Sequence, residues 1–154
     1  MAVPAPERAA RSVKRRFICS LLLLALLASC SGQAAHPSAP TAGSDVIIDA
    51  ASLAPDTPRF FTYRFQGKNI NFFVVRYEGK VLSFLDACVT CYRSKQGYRV
   101  REGGLVCRDC GKAYTLPEVE TGLGGCFPIK IKGILKEGKY HIPRAALEQA
   151  AAVF

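Results

Sequence analysis

The chain has 154 residues, enough for one modest domain, with a formal net charge of +9 and 49% hydrophobic residues. Its charges are interspersed rather than blocked, so nucleic acid is not indicated as a partner. No Ser-His-Asp or paired-carboxylate spacing supports hydrolase chemistry, and the chain does not read as a classical enzyme.

In chain order, Arg8, Arg11, Lys14, Arg15 and Arg16 form a basic start, and Phe17 to Leu27 is an apolar run of 11 residues ending in Ala28-Ser29-Cys30. A basic flank, a short apolar core and small residues at the exit are the marks of a secretory signal peptide, expected over residues 1–29. The run is too short to cross a hydrocarbon layer, which needs about 20 helical residues. Leu27-Ala28-Ser29-Cys30 is similar to a lipobox, in which the cysteine is acylated and becomes the first mature residue. Several acyl chains, at about 0.8 kcal/mol per buried CH₂, give a stable anchor. The expected location is therefore the bacterial cell envelope, lipid-anchored to a membrane and facing the periplasm or exterior. Without the signal, 16 Lys/Arg face 11 Asp/Glu.

Residues 30–44 are expected to be the lipidated Cys30 and a flexible tether. Ser31 to Ser44 carries no charge, and 11 of its 14 residues are Ala, Ser, Gly or Pro, too little apolar surface to order itself. His36 lies there without a neighbouring ligand and reads as a tether residue.

From residue 45 to 154 the pattern predicts one domain, mainly β. Phe61, Tyr63 and Phe65 alternate with Thr62 and Arg64, the period of a half-buried strand. Ile70 to Tyr77 and Val81 to Ala87 follow across Gly67 and Gly79, completing an antiparallel meander. Arg99 to Cys107 predicts a hairpin across Gly103-Gly104, and Pro128 to Ile134 with Lys139 to Ile142 another across Glu137-Gly138. Pro143 opens a short C-terminal helix. His141 reads as an ordinary strand histidine.

The chemistry lies in the cysteines. Cys19 falls in the leader and Cys30 at its exit, while Cys88, Cys91, Cys107 and Cys110 spell C-x₂-C-x₁₅-C-x₂-C. That spacing belongs to four-thiolate metal sites. Two intervening residues let one tight turn aim both sulfurs at a point about 2.3 Å from a metal ion, and Gly111 can adopt the positive φ that turns a knuckle back. The expected architecture is thus a small α+β domain with a zinc-ribbon- or rubredoxin-like pair of knuckles. Cys126, in the glycine-rich stretch Gly122 to Cys126, reads as a fifth soft ligand, a redox partner or a buried small hydrophobe. An oxidising compartment leaves open two rivals, structural disulfides and an exchange-active dithiol. Five thiols leave one over in any disulfide pairing.

At Asp86-Ala87-Cys88, Cys91-Tyr92, Lys95-Gln96-Gly97-Tyr98-Arg99, Cys107-Arg108-Asp109-Cys110-Gly111 and Gly124-Gly125-Cys126-Phe127-Pro128, the chain resembles the FtrD-like family. Members are described as membrane iron–sulfur-containing proteins, often linked to bacterial iron uptake. The resemblance implies a metal centre and a metal-uptake or redox membrane complex as partner, with roles in iron transport or electron transfer. The chain departs from the family pattern at Phe127, where an Asn is common. Arg15-Arg16 followed at once by Phe17 matches a twin-arginine signal poorly, so export unfolded is expected. Metal acquired outside then favours zinc, copper or mononuclear iron over a preassembled iron–sulfur cluster.

Overall fold

A computed structural model describes residues 32–122 and 124–154. The expected signal peptide, Cys19 and the lipidated Cys30 lie outside the described residues. The strands in chain order are β1 (Thr41–Ala42), β2 (Asp45–Asp49), β3 (Arg59–Phe65), β4 (Lys68–Tyr77), β5 (Lys80–Cys88), β6 (Tyr98–Arg101), β7 (Gly104–Cys107), β8 (Ala113–Thr115), β9 (Pro128–Ile131), β10 (Ile134–Lys136) and β11 (Lys139–Pro143). Two short helices, α1 (Leu116–Thr121) and α2 (Arg144–Gln149), complete the domain. It is mostly antiparallel β with four cysteines drawn together, as expected.

The central sheet has the order β3-β4-β5-β9, and its first three strands are the meander that the sequence predicts. Alternation along β4 and β5 divides their side chains between two cores. Phe72, Val74, Leu85 and Ala87 point to one face, where they meet Val46, Ile142 and Leu147 of the β1-β2-β11-β10 sheet and α2. Phe73, Val75, Phe84 and Cys88 point to the other, where they meet Tyr98, Leu105, Tyr114 and Val119 of the small β6-β7-β8 sheet and α1. β4 is therefore buried on both faces, and its near-continuous apolar run reflects two interiors rather than one.

Three expectations change. Residues 32–44 do not stand free of the domain. Thr62 donates its N–H to Pro37 and accepts from Ala39 N–H, each at 2.8 Å, Asn71 Nδ2 donates to the Ala34 carbonyl at 2.7 Å, and β1 pairs with β2. Composition measures what a segment can bury with its own side chains. Here the unpaired edge of β3 supplies backbone hydrogen bonds instead, as exposed sheet edges do. Second, Pro128 to Ile134 is two strands in two sheets, since β9 pairs with β5 and β10 with β11. The break comes at Gly133, where any Cβ would run into the Tyr140 ring. Third, the sequence reading overlooked β2 and α1. The helix α1 is held by a capping box in which Glu118 Oε2 accepts from the Thr115 N–H at 2.8 Å.

Candidate metal centre

The cysteine sulfurs converge on one end of the second core. Cys88 ends β5 and Cys107 ends β7, so both are buried by the strands that carry them. Cys91 is half-buried and leads into a single 3₁₀ turn, Tyr92–Ser94, rather than an α-helix. Cys126 is buried just before β9, and Cys110 is exposed in the turn after β7. One sulfur from each of Cys88, Cys91, Cys107 and Cys126 lies within 4.8 Å of the other three. Cys110 Sγ stands 3.2 Å from Cys126 Sγ.

Cys126 is thus the hub of the cluster. Its sulfur is 2.7 Å from that of Cys88 and 3.7 Å from that of Cys91. All five are free thiols, and even the shortest of these distances exceeds a disulfide bond of about 2.05 Å. Two tyrosines fix the hub: Tyr98 Oη donates to the Cys126 carbonyl at 2.8 Å, and the Cys126 N–H donates to Tyr114 Oη at 3.1 Å. The first knuckle is tied to the same loop, because Val89 N–H donates to the Phe127 carbonyl and Thr90 Oγ1 donates to that of Gly125. Within it, the N–H groups of Thr90 and Cys91 donate to Cys88 Sγ at 3.2 and 3.3 Å. In the second knuckle Gly111 has φ +73° and donates its N–H to the Cys107 carbonyl at 3.0 Å.

These contacts set the protonation pattern of the metal-free thiols. Burial works to raise Cys88, but hydrogen bonds from the Cys126 thiol and from the Cys91 and Thr90 amides outweigh it and leave it below its ordinary value. The Lys112 backbone N–H, aided by the Cys126 thiol, lowers Cys110 to about 7. Desolvation pushes Cys91 up to about 12, with Asp109 adding to the effect. Burial, then hydrogen bonds given to Cys88 and Cys110, raise Cys126 well above the thiol range. Cys126 therefore keeps its proton more firmly than Cys88 and Cys110, the two sulfurs whose thiolates it stabilises.

In the same core as the sulfurs lies an aromatic floor in which Phe73 stacks on Phe84 at 5.3 Å between ring centroids and meets Phe60, tilted, at 5.2 Å. Beside it a buried polar group escapes sequence reasoning. Asp86 is 2% exposed, accepts from the Tyr98 N–H at 2.6 Å, and pairs with His36 Nε2 at 3.2 Å. His36 also stacks on Phe60 at 4.9 Å, so it is part of this wall and not of a free tether. Gly97, at φ +66°, is required because a Cβ there would enter the Asp86 carboxylate. The signal was an acid between apolar residues, two positions before Cys88. His141 lies in the other sheet, 3.2 Å from Asp45, and takes no part.

The all-sulfur donor set suits zinc, mononuclear iron or an iron–sulfur cluster. Four sulfurs about 2.3 Å from one tetrahedral ion stand about 3.8 Å apart, so the group within 4.8 Å comes close to that arrangement once Cys88 and Cys126, at 2.7 Å, part by about 1 Å. A four-iron cluster spreads its thiolates over separate irons and holds them further apart. The model of the FtrD-like family, described as membrane iron-sulfur containing protein FtrD-like, matches residues 53–154. The chain belongs to that family. No curated protein and no solved structure matches it. Among the described residues no helix is long and apolar enough to cross a membrane.

Proposed function

We propose that this FtrD-like protein is an exported lipoprotein that binds a metal through cysteine thiolates and serves a membrane complex in iron handling or electron transfer. The observation that carries the reading is the convergence of Cys88, Cys91, Cys107 and Cys126 within 4.8 Å. Cys110, beside Cys126, is the fifth candidate ligand. Export of an unfolded chain, with metal acquired outside, favours a single ion (rubredoxin-like iron, zinc or copper) over a preassembled cluster. Cys30 is the acylated residue, and the envelope is the location. Elemental analysis and an optical spectrum of the protein from its native host test this directly. One tightly held ion per chain supports the reading, visible absorption marking iron; acid-labile sulfide with several irons would replace the single ion with a cluster.

A second reading, a thiol–disulfide oxidoreductase, is favoured by the depressed Cys88 thiol with Cys126 only 2.7 Å away. Insulin reduction that disappears in Cys88→Ser, by protein free of metal, selects it. Colourless protein with inert zinc and no redox couple points to a structural module.

A further inference from the structure

The described chain begins at the metal centre, not at the far end of the domain. A Cβ on Gly32 would sit 3.9 Å from Gln96 Cγ and 4.0 Å from the Ser94 carbonyl, both just beyond the first knuckle. Gln96 Nε2 in turn reaches Asp109 Oδ1, between the two cysteines of the second knuckle, at 3.4 Å. The following residues are fastened too, through Gln33 to the Asn69 carbonyl at 2.6 Å, Ala34 to Asn71, and His36 to Asp86. Cys30 precedes Gly32 by two residues, and two residues of extended chain reach at most about 7 Å.

The surface around that point is strongly basic. From Cys88 to Lys112 the sequence has six Lys/Arg against two Asp/Glu. Arg93 and Lys95 flank Ser94 and are exposed, and the exposed Arg108 donates Nε to the Tyr98 carbonyl at 2.9 Å beside Gly97. Val89, in the first knuckle, and Val100, on β6, are 38% and 43% exposed and add apolar surface in the same stretch of chain. Basic residues with scattered apolar ones, next to an acyl anchor, have the chemistry of a surface that meets anionic lipid.

We infer that the cysteine end of the domain lies against an anionic phospholipid headgroup surface, with Arg93, Lys95 and Arg108 as its contacts. The inference rests on the lipid-anchor reading and reverses the picture of a domain held away from the bilayer. The centre is then presented at the membrane plane, within reach of a partner embedded there.

The test uses the mature chain, residues 30–154, carrying Cys30→Ser, which lacks acylation and the basic leader, and sedimentation with vesicles of phosphatidylcholine alone or with one third phosphatidylglycerol. Binding is expected only with the anionic lipid, and it should fall steeply with salt. Each basic contact contributes about fivefold in partitioning, so Arg93→Glu/Lys95→Glu should lower it at least 25-fold. Lys136→Glu/Lys139→Glu, the same charge change on β10 and β11 across the molecule, should lower it far less. Equal loss in both variants, or no binding to anionic vesicles, overturns the inference. So does a third result, in which Arg93→Glu/Lys95→Glu changes only metal affinity, since those residues would then merely balance the thiolates. The anchor is tested separately, by the mass of wild-type protein from the native host. Unmodified Cys30 with intact vesicle binding removes the anchor and keeps the basic face, whereas acylated Cys30 without vesicle binding does the reverse.

Discussion

The two faces of the central sheet carry interiors of different kinds. Toward β2, β11 and α2 the contacts are mostly between hydrocarbon groups, with Phe61, Phe72, Val74, Leu85, Ile142 and Leu147 all no more than 3% exposed. Toward β6, β7 and β8 three strands of three or four residues rest on Phe73, Val75 and Phe84, and their open end is closed by sulfur. Strands so short form a poor independent sheet. The first face has what it needs to fold by burial alone. The second depends on whatever draws five thiols together, and metal binding in small sites shares its free energy with folding. The stable half is scaffold, and the conditional half carries the chemistry.

The strongest way to break that division is to remove sulfur. Cys107→Ser or Cys88→Ser is expected to reduce bound metal from one equivalent to nearly none. Hydrogen-exchange protection should then collapse in β6, β7 and β8 while β3 and β4 keep theirs, and a chelator acting on wild-type protein should give the same pattern. Tight structural zinc sites are worth about 10–16 kcal/mol at neutral pH, so partial loss is not the expected outcome. Uniform loss of protection across both halves would show one cooperative unit instead of two.

Neighbouring phenylalanines on β4 sharpen the comparison. Phe72→Ala and Phe73→Ala each remove a fully buried ring and should each cost about 3–5 kcal/mol in denaturant unfolding. Only Phe73→Ala should also weaken metal binding, because only Phe73 lies in the same core as the sulfurs. Equal metal affinity in the two variants would detach the floor from the site.

A smaller effect belongs to Asp86, which ties His36 to the cysteine side of the sheet. Asp86→Leu leaves the buried Tyr98 N–H without its acceptor and releases His36, a loss of about 1–3 kcal/mol for the unpaired group. Asp86→Asn keeps an acceptor and should recover most of it. Proteolysis near residues 32–40 reads the same event, rising in Asp86→Leu and staying low in Asp86→Asn.

What was legible follows from what each signal measures. Period-2 runs and Gly-bearing turns located β3, β4, β5, β6, β7 and β11 because local alternation and turn chemistry are written in consecutive residues. The cysteine spacing identified four of the converging residues for the same reason. The central position of Cys126 was not legible, since it depends on β9 returning beside β5 and on two tyrosines from β6 and β8. Nor was the docking of residues 32–44, which uses another strand's edge rather than the segment's own composition. Both helices have six residues, too few for a helical period to emerge; α2 was legible from Pro143 and the helix formers after it, whereas α1 follows directly on β8.

The finest distinction lies within the cluster, between its exposed rim and its buried hub. In metal-free protein, Cys110 has its thiolate stabilised by the Lys112 amide and the Cys126 thiol, with a pKa of about 7 against about 8.5 for a free cysteine. A lowered pKa means the reactive form dominates above pH 7 and disappears below it. Alkylation by iodoacetamide, followed peptide by peptide, should therefore be half-maximal for Cys110 near pH 7. It should fall about tenfold for each unit below, because only the thiolate attacks. Over the same range Cys126 should stay unreactive, being buried and keeping its proton, and Cys91, raised to about 12, should react slowly. Metal should leave Cys110 open to alkylation, because it touches the compact group of four from outside. A Cys110 midpoint near 8.5, or equal reactivity of all five thiols, would mean that the hub does not keep its proton more firmly than its neighbours.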